Sequence, residues 1–493
     1  MRPVILCLVF GIALLNLNCS KDRLYSGSKN PLSTTTDTLM FDTVFTGIGS
    51  VTRNFRIKNT QSLPVKITSI VLQGGSQSSF IINVDGSSGT VFKDLILEPD
   101  DSLYVFVQIK INPNDINSPF IISDKLIVRV NDQITEVQLE AWGQNAYYHK
   151  PFHALKFKDG SYLPYSLISE QLQAVTASGK RYTLKTDKPH VIYGYLVVDS
   201  VEELTVPANV KLYMNYKAGL WVYRYGTLKI EGTLHQPVVI QGARREPEYL
   251  GSTGQWDRIW INEGSNQNSI RHAIIKDGFI GVQTDVFGTT LGGPGKLVLE
   301  NTYIQNMSKY GIQAMGYQIE ASNVLVSNCQ ERLLNIELNG NYRFLHCNFI
   351  NFWSQSAREE ASIRWNNYTE IEKKINVFPL QLYFGNCILD GNKDEELKQD
   401  TKSNTELYVQ FSNSWIKTLR GSSDGLFSNC VASKTSLEYK NPENYQFKLK
   451  TPSNQIRFFN SPSAQSDASK VPFDIEGILR NTQQVTLGVF EDP

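Results

Sequence analysis

The chain has 493 residues, more than one ordinary hydrophobic core organises, so two domains or a repeat architecture is expected. Its 48 basic and 48 acidic residues cancel, and without a basic excess nothing points to a nucleic-acid partner. At 41% hydrophobic and 19% charged, and rich in Tyr, Phe, Ser, Thr and Asn, the composition suits a folded chain of strands and turns better than one of helices.

The first residues read MRPVILCLVFGIALLNLNCSKD. Arg2 is a short positive region, and Val4 to Leu15 form an apolar stretch of signal-peptide length, too short to span a bilayer. Cys19 follows. This segment resembles a lipoprotein signal of Bacteroidetes-type bacteria, with Asn16-Leu17-Asn18 standing where a small residue is usual before the cysteine. The resemblance implies removal of residues 1–18, lipidation of Cys19 and an outer-membrane anchor to which each buried methylene contributes about 0.8 kcal/mol. Ser20-Lys21-Asp22 is similar to the tract that sends such proteins to the cell surface. An ordinary cleaved signal or an uncleaved anchor is the plainer alternative. Residues 19–36 are polar past the leader and read as a tether.

Residues 37–146 alternate with period two. VTRNFRIKNT places Val51, Arg53, Phe55 and Ile57 on one side, and LEPDDSLYVFVQIKINP does the same with Leu103, Val105, Val107 and Ile109. Strands so spaced, with Gly, Pro and Asp between them, predict an antiparallel sandwich. FRIKNTQSLPVKITSI with LEPDDSLYVFVQIKINP resembles the Ig-like ASH/choice-of-anchor module, which implies a spacer or interaction role. Residues 147–189 are predicted to be a connection and cap with a short helix.

From His190 short apolar strands recur between single Gly, Asn or Pro residues, a pattern of stacked coils over 190–440. Seven turn residues, each followed by a small one, set the register: His272, Asn301, Asn323, His346, Asn386, Asn413 and Asn429. Their intervals are 29, 22, 23, 40, 27 and 16, against about 20 or slightly more for one coil. Segments 284–296 and 352–379 are then insertions, and the final 16 marks either a lost register or the end of the stack. Asn tolerates the left-handed conformation of a sharp turn, and stacked amides bond along the axis. The next residue, Ala273, Thr302, Val324, Cys347, Cys387, Ser414 or Cys430, should point inward, where Cys acts as a small apolar group. These thiols are therefore expected to be free and buried. Intervals of 22 and 23 are too short for propeller blades.

GTLKIEGTLHQPVVIQGA and GQWDRIWINEGSNQNSIRHAIIKDG resemble the right-handed parallel β-helix, or pectin-lyase-like, superfamily. The ending NYQFKLKTPSNQIRFFNSPSAQSDASKVPFDIEGILR is similar to that of many such secreted proteins, and 441–493 are expected to form a C-terminal cap. The predicted fold is thus all-β: an N-terminal Ig-like sandwich followed by a right-handed parallel β-helix.

Many members of that superfamily cleave polysaccharides, so catalytic constellations were sought. Gly-His-Gly and Asn-Thr-Asp do not occur. Arg56-Ile57-Lys58 and Asp100-Asp101 fall in the first domain, the former a chance tripeptide and the latter a turn. Asp394-Glu395-Glu396 reads as a solvated loop. His149 and His153 have the i,i+4 spacing of a metal pair but flank Pro151, and a linker role is favoured. No catalytic, metal or cofactor residues are assigned. Trp221, Tyr223 and Tyr225 alternate along one strand, and Trp256 and Trp260 follow; these are candidate sugar-stacking aromatics, with Asp257 or Arg258 as polar partners. The expectation is a surface lipoprotein with a binding or structural role toward a glycan or an envelope protein. The alternatives are a polysaccharide lyase or hydrolase, and a purely structural adhesin.

Overall fold

The computed structural model describes residues 23–113, 120–175, 180–286, 295–451, 456–459 and 461–491. The predicted leader and Cys19 lie outside the described residues. The fold is predominantly β, and the chain divides after Asn145 into two compact units.

The first unit contains β1 (Leu32–Thr34), β2 (Thr38–Phe45), β3 (Arg53–Asn59), β4 (Val65–Leu72), β5 (Phe80–Val84), β6 (Ser87–Gly89), β7 (Val91–Leu97), β8 (Ser102–Ile109), β9 (Phe120–Val130) and β10 (Gln133–Gln144). They form two five-stranded sheets, ordered β1-β3-β8-β5-β6 and β2-β10-β9-β4-β7. The strands pair antiparallel except β2 with β10. Both sheets turn alternate side chains into one core: Phe55, Ile57, Val105 and Val107 from the first, and Ile67, Ile70, Val128 and Leu139 from the second. The Lys-Asn-Thr turn is pinned by Asn59, whose buried amide donates to the carbonyls of Leu63, Leu97 and Glu98. The expected tether is shorter than residues 19–36: Leu32 is buried in this core and β1 pairs with β3, because an apolar residue at the sheet edge gains more by burial than by solvation.

The second unit is built from three columns of parallel strands, which the chain visits in turn. One column runs from Tyr162–Leu167 through Tyr195–Val198, Gly219–Val222, Ile259–Ile261 and Ile280–Thr284 to Leu397–Asp400. A second runs from Arg181–Thr183 to Phe427–Ser428, and a third from Tyr147–His149 to Val431–Ser433. Residues 147–189, expected to be a connection, are therefore the first turn of the stack: their strands pair in parallel with His190–Ile192, Tyr195–Val198 and Glu203–Pro207. Their mixed polarity hid this, since a terminal coil has a neighbour on one side only.

The seven turn residues sit together at the corner between the second and third columns. All are left-handed, with φ between 46° and 56°. Asn301 Nδ2 lies 3.3 Å from His272 Nε2, Asn323 Nδ2 donates to Asn301 Oδ1 at 2.9 Å, Asn386 Nδ2 to His346 Nε2 at 2.9 Å and Asn429 Nδ2 to Asn413 Oδ1 at 2.7 Å. The residues after them point inward; Cys347 and Cys387 are fully buried and Cys430 is half-buried. All four described cysteines are free. Burial pushes the thiols of Cys329 and Cys430 up to about 12 and 11. The short final interval is the stack ending: after Trp415–Lys417 the chain passes directly to Phe427–Ser428 in the second column.

A second corner, five residues further along each coil, was not read from the sequence. Asp277, Asn306 and Asn328 have φ of 66°, 60° and 48°, and Asn306 Nδ2 donates to Asp277 Oδ1 at 2.6 Å. It repeats the intervals 29 and 22, which was the signal available.

The ending is not a cap on the last coil. Residues 461–491 run along the asparagine corner. Asn323 Nδ2 donates to Phe473 O, Arg480 Nη2 to Asn323 Oδ1, Asn386 Nδ2 to Ala464 O and Asn413 Nδ2 to Ser463 Oγ. Buried amide groups at the corner need partners, and the segment supplies carbonyls and hydroxyls to them. Of the acidic run only Asp394 is exposed as expected. Glu396 is buried and takes a bidentate pair from Arg358 at 2.6 and 2.9 Å plus the Ser362 hydroxyl at 2.6 Å, tying residues 352–362 to the stack; the expected 352–379 insertion is interrupted by Ile363–Asn366, a strand of the first column. Glu395 accepts from the Thr418 hydroxyl.

Candidate binding cleft

At the corner where the chain enters the first column, a cleft of ≈ 540 Å³ crosses several coils. Tyr162 opens the column's first strand, and Tyr216 and Lys217 form the turn between Lys211–Met214 and Gly219–Val222. Asp257 and Phe279 stand just before the next strands, Ile259–Ile261 and Ile280–Thr284. The turn is sharp enough that Lys217 adopts φ 58°, which throws Tyr216 outward. Tyr216 is 73% exposed and Tyr162 61%, unusual for side chains of this size.

The interior is polar on one side. Asp257 Oδ1 accepts from Arg258 Nε at 2.9 Å, and its Oδ2 accepts from the Tyr195 hydroxyl, whose ionisation is driven upward by burial and then by the carboxylate. The Arg258 guanidinium and the Lys309 ammonium each lie 5.5 Å from the Phe279 ring centroid. Tyrosine faces, a fixed carboxylate and a lysine can together stack a sugar ring and bond its hydroxyls.

Beside the cleft the first column carries one residue per coil in strict register: Trp221, Trp260, Gln283, Gln313, Asn335, Arg364 and Lys398, of which Trp221, Gln283 and Asn335 are buried and the other four reach the surface. Six steps of about 4.8 Å make a strip about 29 Å long. Trp221 and Trp260 stack, with centroids 5.0 Å apart at 14°. Their indole N–H groups donate to Asn262 Oδ1 and Asp285 Oδ2, both at 2.7 Å. Burial raises the Asp285 carboxyl above its ordinary range, and Asp285 Oδ1 is buried without a hydrogen-bond partner among the described residues.

The aromatics expected to meet a ligand divide. Trp260 is half-buried and Trp221 9% exposed on the strip, and Tyr223, half-buried, packs edge-on against Trp221 with centroids 5.6 Å apart. Trp256 forms part of the cleft lining but is only 1% exposed, its Nε1 donating to Lys276 O, because residue 256 precedes the strand and turns inward. Tyr225 does not continue the strand, which ends at Val222; it sits in a left-handed turn, its ring against Gly264. Of the expected polar partners Asp257 lines the cleft, and Arg258 pairs with it. Tyr162, Tyr216 and Phe279 were missed, since none belongs to an alternating run. His149 bonds not to His153 but to His190, at 2.8 Å, and burial with the neighbouring imidazole lowers it to about 3; His153 meets Glu170 at 2.6 Å.

No protein-family model matches the sequence, and no curated protein sequence matches it. Among solved structures the chain is similar to a family 123 glycoside hydrolase from Clostridium perfringens (13% identity, 24% of this chain and 28% of that one, TM-score 0.18). It is also similar to the ASH/PapD-like domain 7 of human CEP192 (14%, 26% and 95%, 0.17) and to the Pseudomonas fluorescens alkylpurine DNA glycosylase AlkC (14%, 24% and 32%, 0.16). At scores this low none of them assigns a fold or a function to the chain.

Proposed function

We propose that the protein is a surface-anchored lipoprotein, with an Ig-like sandwich followed by a right-handed parallel β-helix, that binds a glycan polymer without cleaving it. The stacking of strands in three parallel columns supports the β-helix reading, and the two sheets around one core support the sandwich. The observation that carries the function is the cleft: two exposed tyrosines flank it, and Asp257 is the single carboxylate among its described lining residues. Glycosidic hydrolysis uses two carboxyl groups across the bond, whereas holding a sugar needs only stacking and fixed polar groups. The strip beside the cleft would extend the contact along the polymer.

A glycan array and a polysaccharide-cleavage screen on residues 23–493 test this. Binding to a polysaccharide, weakened at least tenfold by Tyr216→Ala, is expected; release of any oligosaccharide would refute it. A second reading, cleavage, rests on Asp285, whose raised carboxyl beside Trp260 has a free buried oxygen. If cleavage is seen, Asp285→Asn should abolish it. Anchoring through Cys19 predicts incorporation of a labelled fatty acid, lost in Cys19→Ala.

A further inference from the structure

A second concavity lies on a different face of the stack, where no function has been placed. The outer surface of the second column carries two registers of side chains. One runs Gln318, Asn341, Gln381, Tyr408, and the other Glu320, Arg343, Tyr383, Gln410. The helix Pro462–Lys470 stands beside them as a wall and closes a groove of ≈ 550 Å³. The wall is fixed in place. Asp467, 3% exposed, accepts from Arg343 Nη2 at 2.8 Å, Lys470 Nζ at 2.9 Å and the Tyr383 hydroxyl at 2.5 Å. Gly385 makes room for it, since a Cβ there would collide with Asp467 Oδ2.

The charges in the groove are matched: Asp467 by Arg343 and Lys470, and Glu320 by Lys296 at 2.7 Å. A polyanion or polycation would therefore gain nothing from entering. The floor offers no free strand edge, because its backbone groups are paired between coils, so an extended peptide cannot add to it. What the floor presents is a row of three carboxamides and a phenol, one per coil: Gln318, half-buried, and Asn341, Gln381 and Tyr408, exposed. A carboxamide holds a donor and an acceptor in one plane, matching a pair of adjacent hydroxyls, each of which also gives and takes a hydrogen bond. The Tyr408 ring, 48% exposed, adds a face for stacking.

We propose that this groove binds an uncharged oligosaccharide, separately from the tyrosine-flanked cleft and whether or not that cleft binds glycan. Four coils at about 4.8 Å give a floor about 14 Å long, enough for two to three sugar residues laid along the stack.

The test is calorimetric titration of the protein with cellohexaose, xylohexaose, mannohexaose, maltohexaose and hexagalacturonate. In the Tyr216→Ala background, where the cleft is disabled, at least one neutral hexamer should still bind, and adding Gln381→Ala/Tyr408→Ala should weaken that binding at least tenfold. Both substituted groove residues are exposed, so the unfolding midpoint should be unaltered. No neutral hexamer binding at millimolar concentration would overturn the proposal. So would binding in that background that survives the added double substitution, binding lost in Tyr216→Ala, or preference for hexagalacturonate over every neutral hexamer.

Discussion

The two units solve the problem of strand register by different means. In the first, antiparallel neighbours joined by tight turns have their pairing set locally, and alternation decides which side faces the core; Asn59 is the main polar pin. In the second, every coil carries the same inward and outward pattern, so a slip by a whole coil would keep the apolar residues inside. Alternation cannot detect that error. Corner amides, the Arg358–Glu396 pair and the tail's contacts with the corner can, because each needs one particular partner. The stack thus keeps its specificity in buried polar groups, and the first unit keeps it in turns and apolar packing.

If so, the stack should be the more sensitive to polar substitution, and the largest effect should come from Glu396. Glu396→Ala strands the buried Arg358 guanidinium and should cost about 3–5 kcal/mol in the stack's unfolding transition in urea. Glu136→Ala, which removes an exposed pair with Lys125 in the first unit, should leave stability unchanged within error. Equal losses would break the comparison.

Next comes pH. Burial, outweighing bonds from the Tyr439 hydroxyl and the Leu437 N–H, raises Asp390 to about 6. A carboxyl whose folded value lies above its unfolded one binds its proton more tightly in the native state. Its contribution is therefore present below about pH 4 and is lost as pH rises to about 6, by about 2–3 kcal/mol. Urea midpoints of the stack should carry this decline, and Asp390→Asn should remove that part of it.

A smaller effect is expected at the corner. Asn386→Ala loses a left-handed residue and bonds to His346 and Ala464, and should cost about 2 kcal/mol. Asn131, equally left-handed at φ 52° in the β9–β10 turn, should tolerate glycine with a change of a few tenths of a kcal/mol. Smallest of all, a thiol reagent should label Cys329, Cys347 and Cys387 only after denaturation, with no disulfide found by mass spectrometry.

Much of this was legible in the sequence, for reasons that also mark where it stopped. The strands of the first unit follow from Phe55, Ile57, Val105 and Val107, because period two maps directly onto a two-faced sheet. The seven corner residues were readable because a left-handed turn narrows the choice of side chain to few types. The companion corner at Asp277, Asn306 and Asn328 escaped because its later positions, Gly391 and Thr418, break the chemical pattern. The cleft escaped because Tyr162, Tyr216 and Phe279 are far apart in sequence and meet only when coils stack. Tyr225 was misplaced because alternation was carried past the end of the strand at Val222. The helix Pro462–Lys470 had no apolar stripe to announce it, and it is held instead by contacts with coils far earlier in the chain.

Those contacts set an order of events. Within the stack, successive corner residues are 16 to 40 positions apart, so each coil can settle on its predecessor soon after it is made. The bonds from Asn323 to Phe473 and Arg480 close across 150 and 157 residues, and that from His346 to Gly488 across 142. Until residues 461–491 have emerged, the corner amides of the middle coils have only one another and water for partners. The growing chain is therefore a stack with one open seam, sealed from its last-made end, and factors that hold nascent chains have their longest opportunity along that seam.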